Sequence, residues 1–127
     1  MEGGLKADRD SFFRQFVTTF FSVDGTLKAT PAQVDEAVAL CQQSDQTAAL
    51  DCMEACATID FRSDLTKVTV PALVGDGVGV VPFDGSGKRT HEAIAGSELV
   101  LLKGAPIGNN VTHAGEFNST LVGFLTR

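Results

Sequence analysis

Val68-Thr69-Val70-Pro71-Ala72-Leu73-Val74, running into Gly75-Asp76-Gly77-Val78-Gly79-Val80-Val81-Pro82-Phe83, is the stretch that decides the fold. Its first seven residues are mostly β-branched or aliphatic and predict a short strand over Val68 to Val74. Pro71 cannot donate to a ladder, so it belongs near the strand start or on an unpaired edge. The glycine-rich run after Val74 predicts a loop. Downstream the pattern predicts a helix from about Gly85 to Ala95, a strand over Glu98 to Leu102, and a last helix starting near Thr112. Phe117, Leu121, Phe124 and Leu125 fall on one side of that last helix. Strand, helix, strand, helix is a βαβ unit with one more helix, so the two strands should run parallel with a right-handed crossover.

Upstream the period changes to that of helices. Asp10 is a candidate cap for a helix reaching about Ser22, in which Phe12, Phe13, Phe16, Val17, Phe20 and Phe21 form one broad apolar stripe. Ser22-Val23-Asp24-Gly25-Thr26 breaks it. Thr30 before Pro31 is a cap followed by proline at the first helical position, and Val34, Ala37, Val38 and Cys41 continue that helix. Ser44 or Asp45 opens a third helix, with Ala49, Cys52, Met53 and Cys56 on one face. The expected fold class is therefore α/β in a single domain of 127 residues. A three-helix N-terminal lobe (1–59) precedes a β-α-β-α lobe (60–127).

The order Asp60-Phe61-Arg62-Ser63-Asp64-Leu65, Val68 to Val74, Gly75 to Phe83, Gly104-Ala105-Pro106-Ile107-Gly108 and Val111-Thr112-His113 resembles the C-terminal part of α/β-hydrolases. The resemblance is to the aryl esterase and non-haem chloroperoxidase (perhydrolase) branch. It implies a partial α/β-hydrolase fold, with 1–59 matching the helical cap over an active site. It also implies a catalytic acid within a Gly-Asp-x-Asp segment before Val-Pro, and a catalytic histidine after Gly-x-Pro. Those places hold Val78 and Ile107. Valine and isoleucine can neither orient an imidazole nor carry its proton. In the resembling enzymes two more residues usually separate the Leu-Val run from Gly-Asp. Their loss shortens the strand by about 7 Å and shifts the acid loop.

No Gly-x-Ser-x-Gly elbow is present to present a nucleophilic serine. Gly85-Ser86-Gly87 and Gly96-Ser97 come nearest, and Ser86 reads as a helix start capped by Asp84 or by itself. A replacement triad would have to draw on Ser86, His91 or His113, and Asp76 or Asp84. His91 and His113 read as surface or capping residues, with Glu116 a surface neighbour of His113. Gly75-Asp76-Gly77-Val78-Gly79 lacks Gly-x-Gly-x-x-Gly spacing and does not open a helix, so no nucleotide cofactor is expected. The Asn110-Val111-Thr112 and Asn118-Ser119-Thr120 sequons carry little without a secretory signal, and Thr112 reads as a helix cap.

Net charge is −6 and no Lys/Arg cluster occurs, so nucleic acid is not an expected partner. No apolar run is long enough to span a membrane, and the first residues do not form a signal sequence, which makes the cytoplasm the expected compartment. Cys41, Cys52 and Cys56 read as small buried hydrophobes. No Cys-x-x-Cys or His pair supplies a metal site. Nine Phe carry the aromatic packing in a chain without Trp or Tyr.

A two-stranded parallel sheet leaves faces and edges open and is marginal alone. Self-association into a two-fold dimer is the simplest remedy. Val78, Ile107, Val74 and Leu73 are its candidate contacts, each fully buried side chain stabilising by about 1.5–3 kcal/mol. The expected function is a catalytically inactive hydrolase-like half domain, acting as an oligomeric scaffold or binding module with room for a small apolar ligand. The alternative is a hydrolase of small aryl or alkyl esters.

Overall fold

The structure is a computed structural model and describes residues 2–77 and 85–127. The first lobe holds α1 (Glu2–Ala7), α2 (Arg9–Phe20), a hairpin of β1 (Ser22–Val23) and β2 (Thr26–Leu27), α3 (Pro31–Gln42) and α4 (Gln46–Thr58). A short α5 (Arg62–Leu65) leads to β3 (Leu73–Gly77), α6 (Ser86–Ala93), β4 (Glu98–Leu102), α7 (Asn109–Thr112) and α8 (Ala114–Leu125).

The helical lobe follows its sequence signals closely. Thr30 and Gln33 form a reciprocal capping box, with Gln33 N donating to Thr30 Oγ1 and Thr30 N to Gln33 Oε1, and Pro31 opens α3. Asp45 caps α4 by accepting from Ala48 N at 2.9 Å. The cap of α2 is Asp8 rather than Asp10; its carboxylate accepts from Ser11 N at 3.1 Å. An extra helix, α1, precedes it because Leu5 is fully buried and pins that turn to the lobe. Asp10 instead sits in the first turn of α2, where its charge suits the helix dipole, and it accepts from Gln42 Nε2.

The break after α2 is a two-residue hairpin. Val23 pairs with Thr26 across Asp24 and Gly25, which both have positive φ (48° and 75°). That is the turn geometry the Asp-Gly dipeptide favours. The core lies beside it: Val17 and Phe21 of α2 meet Val34 and Val38 of α3, with Phe20, Ala29, Ala37 and Cys41 packed around them.

In the second lobe β3 and β4 pair in parallel, with Leu73 opposite Glu98 and Gly77 opposite Leu102. The second strand matches its expected bounds; the first does not. Val68 to Ala72 lie outside any strand, Val70 is 67% exposed, and Gly75-Asp76-Gly77, expected as loop, are ladder residues. The ladder begins where β4 can reach it, with Glu98 N donating to Ala72 O at 2.9 Å. β-propensity without a neighbouring strand makes no strand.

The register fixes the faces. Val74, Asp76, Leu99 and Leu101 share one face and Leu73, Gly75, Val100 and Leu102 the other. α6 packs on the first, where Asp76 meets Gly87. α8 stands over the second, and together they enclose a groove. The faces expected to be bare thus both carry a helix, and Leu73 and Val74 point to opposite sides. Among the described residues, what stays open is the outer edge of each strand.

Candidate functional site

The loop after β4 carries the position where the resemblance places a base. Ile107 is there, half-buried. The loop is held from both ends. Asn109 Nδ2 donates to the Pro106 and Ile107 carbonyls at 3.1 and 3.3 Å, and Gly108 N donates to Phe20 O at 3.2 Å. A Cβ on Gly108 would run into the ring of Phe21, so only glycine lets this loop lie against the end of α2. The position where the resemblance places a base therefore sits where the two lobes meet. Val78, at the acid position, and Asp84 lie outside the described residues.

Asp76 has a structural task. Its Oδ2 accepts from Gly87 N at 2.7 Å, at the first turn of α6. Gly85 holds a left-handed conformation (φ 73°), and among the described residues of this segment no side chain caps the helix, so Ser86 does not fill that role. The carboxylate on β3 supplies the acceptor instead, and its charge suits the positive end of α6. Ser86 is the first helical residue and half-buried; its carbonyl accepts from Thr90 Oγ1.

The histidines are engaged elsewhere. His91 lies five residues beyond Ser86 on the same helix, about 7.5 Å further along the axis and about 140° around it. Its Nδ1 lies 2.8 Å from Ser97 Oγ, and that oxygen lies 3.1 Å from the His91 carbonyl. A hydroxyl has one proton. The arrangement that satisfies all three atoms has Nδ1–H donating to Oγ and Oγ–H donating to the carbonyl. The Ser97 proton is then held by backbone, not by a base, and the trio clips the C-terminus of α6. His113 Nδ1 lies 2.8 Å from Thr112 Oγ1. Thr112 ends α7 rather than capping the last helix, because Gly108 to His113 form a separate turn and α8 starts at Ala114 without a side-chain cap. Asp76, His91 and His113 thus bond to three different groups, and among the described residues no hydrogen-bonded chain joins a serine, a histidine and a carboxylate.

An apolar groove lies under α8. It measures about 290 Å³ and is lined by Leu73, Gly75, Val100 and Leu102 from the sheet and Phe117, Leu121, Phe124 and Leu125 from the helix. Asn109 and Thr120 supply its polar margin. The hollow exists because Gly75 contributes no side chain opposite Val100; a Cβ there would meet nothing within 4 Å. The helix half of this lining was legible as the Phe117, Leu121, Phe124, Leu125 stripe. Leu73, Val100 and Leu102 fall within the expected strands; Gly75, which opens the hollow, does not, because its local signal is that of a loop.

The cysteines are not the small buried hydrophobes that their helix positions imply. Cys52 and Cys56 are exposed, since α4 has no fully buried residue and shows its cysteine side to solvent, and Cys41 on α3 is half-buried beside the core. Burial raises the Cys41 thiol above its ordinary value. Asp60 and Arg62 form a fork, with Arg62 Nε 2.8 and 3.0 Å from the two carboxylate oxygens. These hydrogen bonds, with a further one from Arg62 N, hold the Asp60 carboxyl down to about 2. A depressed folded value means the contribution is present above the unfolded value and fades as pH falls toward about 2. A carboxyl-detected NMR titration is expected to place the Asp60 midpoint near 2, and Arg62→Ala to return it toward 3.8.

Among the described residues no group of three or more His, Cys, Asp or Glu is placed to hold a metal, and no helix is long and apolar enough to cross a membrane. No protein-family model matches the chain. A provisionally named non-heme chloroperoxidase of Synechocystis sp. is 31% identical over 98% of this chain and 47% of its own length. The crystal structure of bromoperoxidase from Bacillus anthracis, 38% identical, superposes with a TM-score of 0.90 over 99% of this chain and 47% of that one. An esterase from Exiguobacterium antarcticum, 25% identical, superposes at 0.87 over 99% and 46%. The chain spans about half the length of the relatives it matches.

Proposed function

We propose that this chain, homologous to one half of non-haem haloperoxidases and esterases of α/β-hydrolase structure, is a catalytically silent half domain that acts by association and by holding an apolar group. The observation that carries the reading is at the former base position. Ile107 stands there, in a loop tied to α2, and the nearest serine–histidine contact, Ser97 with His91, commits the serine proton to a carbonyl. A hydrolase needs a nucleophile, a base beside it and a group that orients the base. Asp76, a candidate acid beside the start of α6, is engaged by the N-terminus of that helix. The groove of about 290 Å³ offers an apolar wall with a polar margin, suited to a small ligand with an apolar body and one polar end.

The second reading is a hydrolase of small aryl or alkyl esters, favoured by the esterase and haloperoxidase relatives. An activated aryl ester at millimolar concentration separates the two. The expected result is no release above buffer. Turnover that disappears in Ser86→Ala would sink the silent reading and establish the second.

A further inference from the structure

We infer that the outer edge of β3 pairs antiparallel with β3 of a second copy of this chain, about a two-fold axis at Val74. This rests on the association part of the reading above and gives it a surface and a register.

The ladder decides which groups are free. In a parallel pair, alternate residues turn both N–H and C=O to the same neighbour. Glu98 N donates to Ala72 O, so Ala72, Val74 and Asp76 serve β4, and Leu73 and Gly75 turn their backbone groups outward. Among the described residues no strand meets them. Gly77, which shares their orientation, is buried against the Ala105–Pro106 backbone, so the usable edge is short. An axis at Val74 fits those limits. It sets Leu73 opposite the partner's Gly75, and Gly75 opposite the partner's Leu73, so the outward groups of both residues bond in pairs. The buried Gly77 then falls opposite Pro71, which has no N–H to satisfy.

The side chains agree with this register. Gly75 is exposed, with open space where a Cβ would be, on the face that forms the groove. Leu73 of a second copy can lie over it, large against small, twice by symmetry. Asp76 meets no second Asp76, and its carboxylate is already taken by Gly87 N. An axis normal to the sheet keeps both α8 helices on one face. Their Leu121 and Leu125, 37% and 69% exposed, then lie on that same face of the joined sheet. The sheet grows from two strands to four, which removes the weakness of an isolated pair.

Facing Val74 residues form a non-hydrogen-bonded antiparallel pair with Cα atoms about 4.5 Å apart, within disulfide reach. The test uses the full chain with Cys52→Ser and Cys56→Ser, carrying either Val74→Cys or, on the outer edge of β4, Leu101→Cys. Mild oxidation is expected to link Val74→Cys into a covalent dimer and leave Leu101→Cys unlinked. Light scattering of the unsubstituted chain is expected to give about twice 13.3 kDa at tens of micromolar. Its Leu73 and Gly75 amides should gain exchange protection as concentration rises, a readout that needs no variant. A monomer, a dimer whose Leu101→Cys form links instead, or Leu73 and Gly75 amides that exchange alike at all concentrations would overturn the inference. Ester turnover would overturn the silent reading and leave this surface standing.

Discussion

Phe21→Ala is expected to cost about 3–5 kcal/mol, the largest loss from any single side chain in the first lobe. Phe21 is 3% exposed and touches Val17, Val34 and Val38, so truncation leaves a cavity between α2 and α3 that rigid helices close poorly. The same ring bears on Gly108. Its removal should therefore loosen the loop that carries Ile107 as well as the helical core. Against a typical total of about 5–15 kcal/mol, this is a large share of the fold. Thermal unfolding at fixed protein concentration should show a drop of roughly 15 °C. Hydrogen exchange should show faster exchange at the Gly108 amide, which bonds to Phe20 O. Phe16→Ala is the control. Phe16 is 45% exposed and only stacks on Phe12 and Phe20, so about 1 kcal/mol is expected. Equal losses for the two residues would contradict the placement of the core.

Gly77→Ala is expected to cost about 2–3 kcal/mol, near the top of the range for overpacking. Gly77 ends β3 in a buried position where a Cβ would collide with the Ala105 carbonyl oxygen and lie 2.9 Å from Pro106 O. Those atoms are backbone, and the loop they belong to is tied to α2, so it cannot step aside cheaply. Gly75→Ala, two residues earlier on the same strand, meets open space and should change stability by less than about 0.5 kcal/mol. Urea unfolding of the pair gives the contrast directly. A Gly77→Ala midpoint no lower than that of Gly75→Ala would show that β3 does not run into the Ala105–Pro106 turn as described.

These two glycines also show where sequence reading stops. Gly75-Asp76-Gly77 carries every local mark of a loop, and locally that reading is sound. The residues become a strand because Val100, Leu101 and Leu102 lie beside them, a contact between segments more than twenty positions apart. The β-rich Val68 to Ala72 does not form a strand for the converse reason: among the described residues no strand lies alongside it. Asp76 follows from the same shift. Once in the strand, its side chain faces α6 and becomes that helix's N-terminal acceptor, a partnership between positions eleven apart that no motif announces.

Helical signals fared better because they are local. Thr30-Pro31, and Ser44 or Asp45, act within one turn of themselves, so these local signals locate α3 and α4. Asp24-Gly25 wrote its hairpin in two residues. The cysteines were misplaced because burial depends on what stands opposite a helix face, and α4 has little opposite it.

By itself the sequence determined the order of the longer elements α2, α3, α4, α6, β4 and α8, the parallel pairing of β4 with a strand before α6, and the presence of isoleucine where the resemblance places a base. Each is set by period, cap chemistry or residue identity, which act over a few neighbouring positions. Only the tertiary structure decided where β3 begins, which face each helix covers, what Asp76 binds, and that the Ile107 loop is bolted to α2 through Gly108. Those depend on which distant segments meet, and a chain encodes such meetings in the sum of its packing rather than in any short run of residues.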